Sequence, residues 1–342
     1  MKRVIRFCFI LVASMIVCVV GAAGKVEAKK NFTVSPNSKP YKNQNVNAKP
    51  YNKYTRQYIM LNTYLNYMGK HGGGTLTLKK GTYNLTNALL VPSNVTIVLK
   101  DGVTLNKTDN THTKYLKAGH VMFELVRPSR IHKKGVLGKY NGEKNVKIIG
   151  KGNATINLGK CANSEGIRIP HCKNVTIQGV NFKNLRNGHF IEVVASKNVS
   201  ITDCSFSNCM DGTRCAVNVD WACQGGFNGA YSKFDKTPVN NLAIKGCQFN
   251  NLYAGIDSHV SIDAMPHTNI QITESSFTGI EGYCIQMMDW KDIVIQNNTF
   301  SDVQGVMSDE ELMHRVISDR SFRYQNSNLL FNGYSLGNTK QN

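Results

Sequence analysis

The sequence predicts an all-β fold, a right-handed parallel β-helix, which is a solenoid, with an N-terminal capping helix. Three observations predict this fold. One strand-and-turn motif recurs between residues 144 and 307 at the spacing of a repeat protein. Within each copy the apolar residues alternate, which is the period of a strand with one buried face. A stretch with helical spacing precedes the repeats, and an open solenoid needs a cap at its end.

The repeated motif is Asn-x-(Val/Ile/Leu)-x-Ile, usually followed by Phe five residues after the Ile. Its copies start at Asn145, Asn174, Asn198, Asn241, Asn269 and Asp292. These starts are 29, 24, 43, 28 and 23 residues apart, so each copy predicts one coil and the long interval predicts an inserted loop. The leading Asn favours a turn, because Asn tolerates left-handed backbone.

Stacked coils place equivalent residues above one another, about 4.8 Å apart. We therefore expect one internal aromatic ladder, made of Phe182, Phe206, Phe249, Phe277 and Phe300. The first copy has Ile156 where the others have Phe, so it is a degenerate rung. Cys204 and Cys247 fall in the same inward slot as Val180, which predicts buried thiols rather than reactive ones.

The helical stretch precedes a glycine-rich turn. Tyr58, Leu61, Leu65 and Met68 have helical spacing and are followed by three consecutive glycines. We divide the chain into a signal peptide (1–28), a flexible segment (29–53), the β-helix (54–308, with a long loop at 210–238) and a C-terminal cap or tail (309–342).

Residues 1–28 have the composition of an export signal. Lys2, Arg3 and Arg6 precede an apolar run over residues 7–20, and Val26-Glu27-Ala28 offers a small-residue cleavage site. The apolar run is shorter than the roughly 20 residues that span a bilayer. We expect a secreted, extracellular protein without a transmembrane anchor in its mature chain; a retained anchor is the alternative.

The charge of the chain favours an anionic partner. The formal net charge is +19, and removal of the four basic residues and one acidic residue of 1–28 leaves +16. Outside the cell this indicates an acidic polysaccharide or an anionic cell-wall polymer. No long Lys/Arg run marks a nucleic-acid tail, so we expect no nucleic-acid partner, and we expect a monomer. A basic surface that only aids solubility is the alternative.

The glycine-rich start (Gly72-Gly73-Gly74-Thr75, then Gly81-Thr82-Tyr83), Pro92-Ser93-Asn94-Val95-Thr96 and the Asn-Val-x-Ile coils extend over roughly residues 54–307. In these motifs the sequence resembles the pectate lyase-like superfamily of right-handed β-helices, which also holds polygalacturonases, epimerases and phage tailspike enzymes. The resemblance implies the fold strongly and the reaction weakly, because one scaffold hosts many chemistries.

The strand after each Phe carries titratable residues at outward positions. Alternation places Glu192, Asn218, Asp257 and Gln286 in one outward column, and Asp220, His259 and Met288 in the next. We predict Glu192, Asp220, Asp257 and His259 as catalytic residues. Two coils separate Glu192 from Asp257, or about 9.6 Å, near the roughly 6.5–9.5 Å between the carboxyls of inverting hydrolases. A row of solvated polar residues is the alternative.

The long loop at 210–238 predicts a groove wall, since long loops of solenoids tend to lie on the binding face. We predict substrate binding by His189 and by loop residues, with aromatic rings that stack on sugars: Arg214, Trp221, Phe227, Tyr231 and Asp235. A hydrophobic flap over its own coil is the alternative. Cys215 stands where related coils would more often hold an acidic residue, which argues against a hydrolase.

These features favour a secreted enzyme that cleaves an acidic polysaccharide. The positive charge favours a lyase over a hydrolase, because a lyase must neutralise the uronate, and an epimerase stays open. Ca²⁺ held by carboxylates is a candidate cofactor, with no metal ligands assigned. The alternative of a different class is a non-catalytic surface adhesin or a protein that binds cell-wall polymer.

Overall fold

The computed structural model describes residues 30–42, 46–209, 215–262, 265–307 and 323–325. Two helices lie among these residues, α1 (Arg56–Lys70) and α2 (Pro128–Ile131). In chain order the strands are β1 (Lys30–Val34), β2 (Gly74–Leu78), β3 (Gly81–Leu85), β4 (Leu89–Leu90), β5 (Val95–Leu99), β6 (Val103–Lys107), β7 (Val121–Glu124), β8 (Lys144–Gly150), β9 (Thr155–Asn157), β10 (Ser164–Pro170), β11 (Lys173–Gln178), β12 (Asn181–Leu185), β13 (Gly188–Val194), β14 (Lys197–Thr202), β15 (Ser205–Cys209), β16 (Cys215–Asp220), β17 (Asn240–Lys245), β18 (Gln248–Leu252), β19 (Ala254–Asp257), β20 (His267–Thr273), β21 (Ser276–Gln286), β22 (Trp290–Gln296), β23 (Thr299–Met307) and β24 (Arg323–Gln325).

The strands wind into a right-handed parallel β-helix, as the sequence predicts. Its first face has the order β1-β2-β5-β8-β11-β14-β17-β20-β22-β24. The second face runs through β3, β6, β9, β12, β15 and β18, and the third through β4, β7, β10, β13, β16 and β19. The second and third faces join at β21, which continues around the corner between them. Every pairing within these faces is parallel, so each coil contributes one strand per face.

The core is a set of ladders along the solenoid axis. The five phenylalanines of the predicted aromatic ladder are buried, and neighbouring rings lie 4.5–5.2 Å apart between centroids. Ile156 pairs with Phe182 in strand register, so the degenerate rung fills the same slot. Cys204 and Cys247 are buried, as expected. Stacking identical rings in register gives the close packing that stabilises such interiors.

The leading asparagines form a second ladder on the outside of a corner. Asn145, Asn174, Asn198 and Asn241 have φ between 55° and 59°, in the left-handed region. Each amide donates to the amide oxygen of the preceding coil, starting from Asn94, at 2.9–3.1 Å. Asn tolerates this backbone and its amide both donates and accepts, so the recurring residue fixes the corner and the coil spacing together.

The N-terminal end is covered by α1. Its apolar side packs Met60, Leu61, Leu65 and Met68 into the core beside the first strands. Residues 30–34, which we expected within a flexible segment, instead form β1, which pairs with β2 in parallel. The lysine- and asparagine-rich composition of this segment obscured the alternation of Phe32 and Val34, which gives the strand its inward side.

The predicted long loop at 210–238 contains strand β16 at Cys215–Asp220, and its residues 210–214 lie outside the described residues. Residues 221–239 leave the coil and fold over the outside of the third face. There Phe227 and Tyr231 pack with Val126, Leu137 and Val194 in a second apolar cluster. The structure thus favours the flap that the sequence left as an alternative, and this flap covers part of the candidate site.

Candidate functional site

The third face carries a column of polar side chains on its outer side. Strand register aligns Glu124, Arg168, Glu192, Asn218, Asp257 and Gln286 on successive coils. The last four are the column that the strand alignment predicted. Asp220 pairs with Val194 in the neighbouring column, also as predicted. Residues far apart in the sequence therefore meet on one wall of the solenoid.

One half of this wall is a covered network, which we define as Glu124, Glu165, Arg168, Glu192 and Tyr231. Arg168 pairs with Glu192 at 2.5 Å, with Glu165 at 2.5 Å and with Glu124 at 3.5 Å. The Tyr231 hydroxyl donates to Glu124, and the Phe227 ring lies under the guanidinium at 5.4 Å. The flap thus shields Glu192, of which only 4% is exposed, from solvent.

The covered network holds three carboxyl groups against one cation, so it retains protons. Burial, together with the adjacent Glu165 carboxylate, raises the pKa of Glu192 well above its ordinary value in spite of Arg168. Burial alone would raise the pKa of Glu165, but the charge and hydrogen bond of Arg168 lower it. Glu192 and Glu165 hydrogen-bond to each other, so Glu192 is the protonated partner and donates to ionised Glu165.

The other half of the wall is the candidate centre, which we define as Asn218, Asp220, Asp257 and His259. The Asn218 amide nitrogen lies 3.2 Å from Asp220 Oδ2 and 3.4 Å from Asp257 Oδ1. His259 Nδ1 lies 3.2 Å from Asp220 Oδ2, and its Nε2 lies 3.5 Å from Asp257 Oδ2. The backbone N–H of His259 also donates to Asp220 Oδ1 at 3.0 Å. Two carboxylates therefore flank one imidazole.

The charges of the candidate centre make His259 a cation. Burial would lower the pKa of His259, but hydrogen bonds and charges of Asp220 and Asp257 outweigh it and raise the pKa to about 10. Burial would raise the pKa of Asp257, yet His259 and His189 lower it. At neutral pH His259 is an imidazolium, which can bind an anion or donate a proton but cannot act as a general base.

Access to the candidate centre is through His259. Its side chain is 26% exposed, whereas the side chains of Asp220 and Asp257 are 0% and 9% exposed. A ligand on the wall would therefore touch the imidazolium first, with the two carboxylates behind it.

The predicted substrate-binding residues have varied placements. Trp221 is fully buried, stacks on His267 at 3.7 Å and donates to the Met265 carbonyl, so its indole is a packing element. Phe227 and Tyr231 are also buried, and none of the three rings offers an open stacking surface. Asp235 accepts hydrogen bonds from the Lys139 backbone and from Thr237, and so anchors the flap. Arg214 lies outside the described residues.

His189 lies beside the candidate centre. It is buried on β13, and its ring centroid lies 4.9 Å from that of His259. Its Nδ1 lies 3.3 Å from the Cys215 sulfur, which in turn lies 2.5 Å from Asp257 Oδ1. Burial lowers the pKa of His189, so its imidazole is neutral. Ligand atoms of His189, Cys215 and His259 all lie within 4.8 Å of one another, which makes them candidates to hold a metal ion.

Sequence reasoning missed Glu124, Glu165 and Arg168, which the structure joins to Glu192. These residues precede the repeats that end in Phe, so they were not aligned with the later coils. The signal was present in Ser164–Pro170, where Glu165 lies over His189 and Arg168 lies over Glu192. Extending the strand alignment by one coil would have found Glu165 and Arg168, and a second coil would have found Glu124.

The fold defines the class of protein: the chain is a right-handed parallel β-helix protein. The family described as "Right handed beta helix region" matches residues 135–300. Among solved structures, the chain is similar to PfbA, a surface adhesin of Streptococcus pneumoniae. One PfbA structure has a TM-score of 0.61 and 19% identity over 72% of this chain and 59% of that chain. A second PfbA structure has a TM-score of 0.62 and 19% identity over 72% and 63%.

A tailspike protein double mutant of E. coli bacteriophage HK620 has a TM-score of 0.47 and 14% identity over 74% of this chain and 45% of that chain. The chain spans about 59–63% of the length of the PfbA chains. Comparison with the curated proteins finds no match to the sequence. In the part of the chain that the structure describes, no helix is long and apolar enough to cross a bilayer.

Proposed function

We propose that this protein is secreted and that it binds and cleaves an acidic polysaccharide at the candidate centre. The observation that carries the proposal is the His259 imidazole, which lies 3.2 Å from Asp220 and 3.5 Å from Asp257 on the outer wall. A positive group at the accessible edge of the wall suits the carboxylate of a uronic acid. The net charge of +16 that remains after removal of residues 1–28 would draw such a polymer to the surface.

The candidate centre supports acid catalysis better than base catalysis. His259 carries a proton at neutral pH, so it can neutralise a uronate or protonate a leaving oxygen. Asp220 and Asp257 are the carboxylates that would supply the other acid or base group of the reaction. Because both lie near one Asn218 nitrogen, their oxygens are separated by at most the sum of 3.2 Å and 3.4 Å. That limit lies at the lower end of the roughly 6.5–9.5 Å of inverting hydrolases.

A lyase needs the uronate neutralised before its C5 proton is removed, and this requirement favours a lyase over a hydrolase. Glu192 is further from this chemistry, because the flap covers it and Arg168 binds it. In this proposal Glu192 is a positioning residue: it holds the wall in shape through Arg168 and Glu165.

The test is a screen of the purified chain from residue 29 onward against uronic acid polymers, with and without Ca²⁺. Ultraviolet absorbance of an unsaturated uronate would identify a lyase, and new reducing ends without that absorbance would identify a hydrolase. Asp220→Asn and His259→Gln are expected to lose turnover while keeping the far-ultraviolet circular dichroism of the wild type. Glu274→Gln, an exposed carboxyl on the first face, is the matched control.

A non-catalytic adhesin that grips an anionic polymer is the second candidate. The burial of Asp220 and Asp257 favours it, since neither carboxylate is open to a glycan as the wall stands. It predicts polymer binding that weakens with salt and no product from any polymer. Under this alternative Asp220→Asn would leave polymer binding within twofold of the wild type.

A further inference from the structure

Four side chains with metal-binding atoms meet beside the candidate centre. His189 Nδ1 lies 3.3 Å from Cys215 Sγ, and Cys215 Sγ lies 2.5 Å from Asp257 Oδ1. Asp257 Oδ2 lies 3.5 Å from His259 Nε2. We call these four residues the nitrogen-sulfur cluster. The two imidazoles and the thiol supply three ligands for a four-coordinate metal ion, and three protein ligands with one open position are typical of catalytic zinc sites.

The pairing of adjacent strands positions the residues of the cluster, so the β-helix itself fixes the geometry of the site. His189 and Cys215 each stand two residues before the paired residues Ile191 and Val217, on adjacent coils. Asp257 ends β19 on the next coil, and His259 follows two residues later. Sites built on strands are positioned more tightly than sites on loops.

The distances approach those of a tetrahedral zinc site. Zinc bonds of about 2.3 Å to sulfur and about 2.0–2.1 Å to nitrogen place neighbouring ligand atoms about 3.3–3.6 Å apart. His189 Nδ1 and Cys215 Sγ already lie 3.3 Å apart. The ligand nitrogens of the two histidines, which lie within 4.8 Å of each other, would close by at most about 1.5 Å. Side-chain rotations cover movements of that size.

Asp220 supplies the outer support that metal-binding histidines require. Asp220 Oδ2 lies 3.2 Å from His259 Nδ1 and accepts a hydrogen bond from it, so that Nε2 is directed at the cluster. His259 Nε2 is buried and makes no hydrogen bond. A carboxylate behind a histidine fixes the tautomer and strengthens the nitrogen ligand, and loss of such support typically weakens metal binding 10–100-fold.

The donor types select the metal. Ca²⁺ takes oxygen ligands, whereas thiolate and imidazole suit zinc and similar transition metals. We infer that His189, Cys215 and His259 bind one Zn²⁺ ion, through two nitrogens and one sulfur, with the Asp257 carboxylate beside the sulfur. The ion would displace the proton of the thiol and that of the imidazolium. This inference goes beyond the proposed function, because metal binding needs no glycan. If the proposed function is correct, the bound ion keeps a positive charge where the uronate would bind.

The experiment is titration of the purified mature chain with Zn²⁺ by calorimetry and with Co²⁺ by absorbance. We expect one equivalent of either metal and a cobalt-thiolate charge-transfer band in the near ultraviolet. Cys215→Ala should abolish the band and weaken Zn²⁺ binding at least 100-fold. Cys284→Ala, a buried cysteine on β21, is the matched control and should keep both. Asp220→Asn should weaken Zn²⁺ binding about 10–100-fold.

One further measurement uses the unaltered chain, so its result does not depend on whether the variants fold. Zn²⁺ binding to the folded state should raise the urea midpoint of unfolding of the unaltered chain and should leave that of Cys215→Ala unchanged. The inference is overturned if Co²⁺ gives no thiolate band, if Cys215→Ala and Cys284→Ala bind Zn²⁺ equally, or if Zn²⁺ leaves the unfolding midpoint of the unaltered chain unchanged. Absence of activity on every glycan would refute the proposed function and leave this inference intact.

Discussion

Among the residues that the structure describes, Arg168 is the one cation that pairs with Glu124, Glu165 and Glu192, and Arg168→Met removes it. Breaking a buried ion pair by removing one partner typically costs about 3–5 kcal/mol, because it leaves a buried charge without compensation. The exchange keeps most of the side-chain volume, so the loss reports charge rather than a cavity. We expect the free energy of unfolding to fall by that amount at pH 7.

The loss of unfolding free energy in Arg168→Met should be smaller in acid, and the direction of this pH dependence follows from proton binding. Without Arg168 the folded state must take up protons on carboxyls that are ionised in the unfolded chain, so its stability falls as pH rises. Protonating an ordinary Glu, of pKa about 4.3, costs about 3.7 kcal/mol at pH 7 and about 1 kcal/mol at pH 5. The variant should therefore recover about 2–3 kcal/mol per carboxyl between pH 7 and pH 5, relative to the wild type.

Urea unfolding followed by circular dichroism at pH 5 and pH 7 measures both effects. Lys245→Met is the control, since Lys245 pairs with Glu274 at the surface and exposed pairs contribute below about 1 kcal/mol. A loss for Arg168→Met no larger than that of Lys245→Met, or an equal loss at both pH values, would refute the reasoning about the covered network.

Three further perturbations test other parts of the structure. Phe249→Ala, in the middle of the aromatic ladder, should lower the free energy of unfolding by about 3–5 kcal/mol in urea titration, and a loss below about 1 kcal/mol would contradict the packing. Glu192→Gln should change stability at pH 7 by less than about 1 kcal/mol, because burial and Glu165 raise the pKa of Glu192 and the neutral Gln amide keeps its hydrogen-bonding groups. Since a raised carboxyl pKa makes stability fall as pH rises, Glu192→Gln should also flatten the stability profile between pH 5 and pH 8, and an unchanged slope would count against the shared proton. His259→Gln should weaken binding of a uronic acid polymer at least tenfold at low salt, whereas Glu274→Gln should not; equal binding in an affinity titration would remove His259 from the site.

The fold was predictable because one period governs the whole solenoid. Asn174 and Asn198 mark the corner, Phe182 and Phe206 mark the core, and stacked coils repeat both. The strand alignment also placed Asn218 and Asp257 in one column, since alternation along a strand fixes which side chains face outward. One correct strand register therefore predicts most of the side chains that line the outer side of the third face.

The contacts across columns were not predictable in the same way. Trp221 and Tyr231 look like sugar-stacking rings in the sequence, but burial depends on where residues 221–239 fold, and no local pattern encodes that. Cys215 looked like a missing carboxylate, yet the structure brings its sulfur against Asp257 and His189. Such pairings depend on tertiary contacts over coils that are far apart in sequence.

A crystal structure of the mature chain with a bound uronic acid oligosaccharide tests the central claim most directly. We expect the glycan on the outer side of the third face, with a uronate carboxylate against the exposed edge of the His259 imidazolium and with Asp220 behind the imidazole. A glycan bound on the first or second face, away from His259, would contradict it.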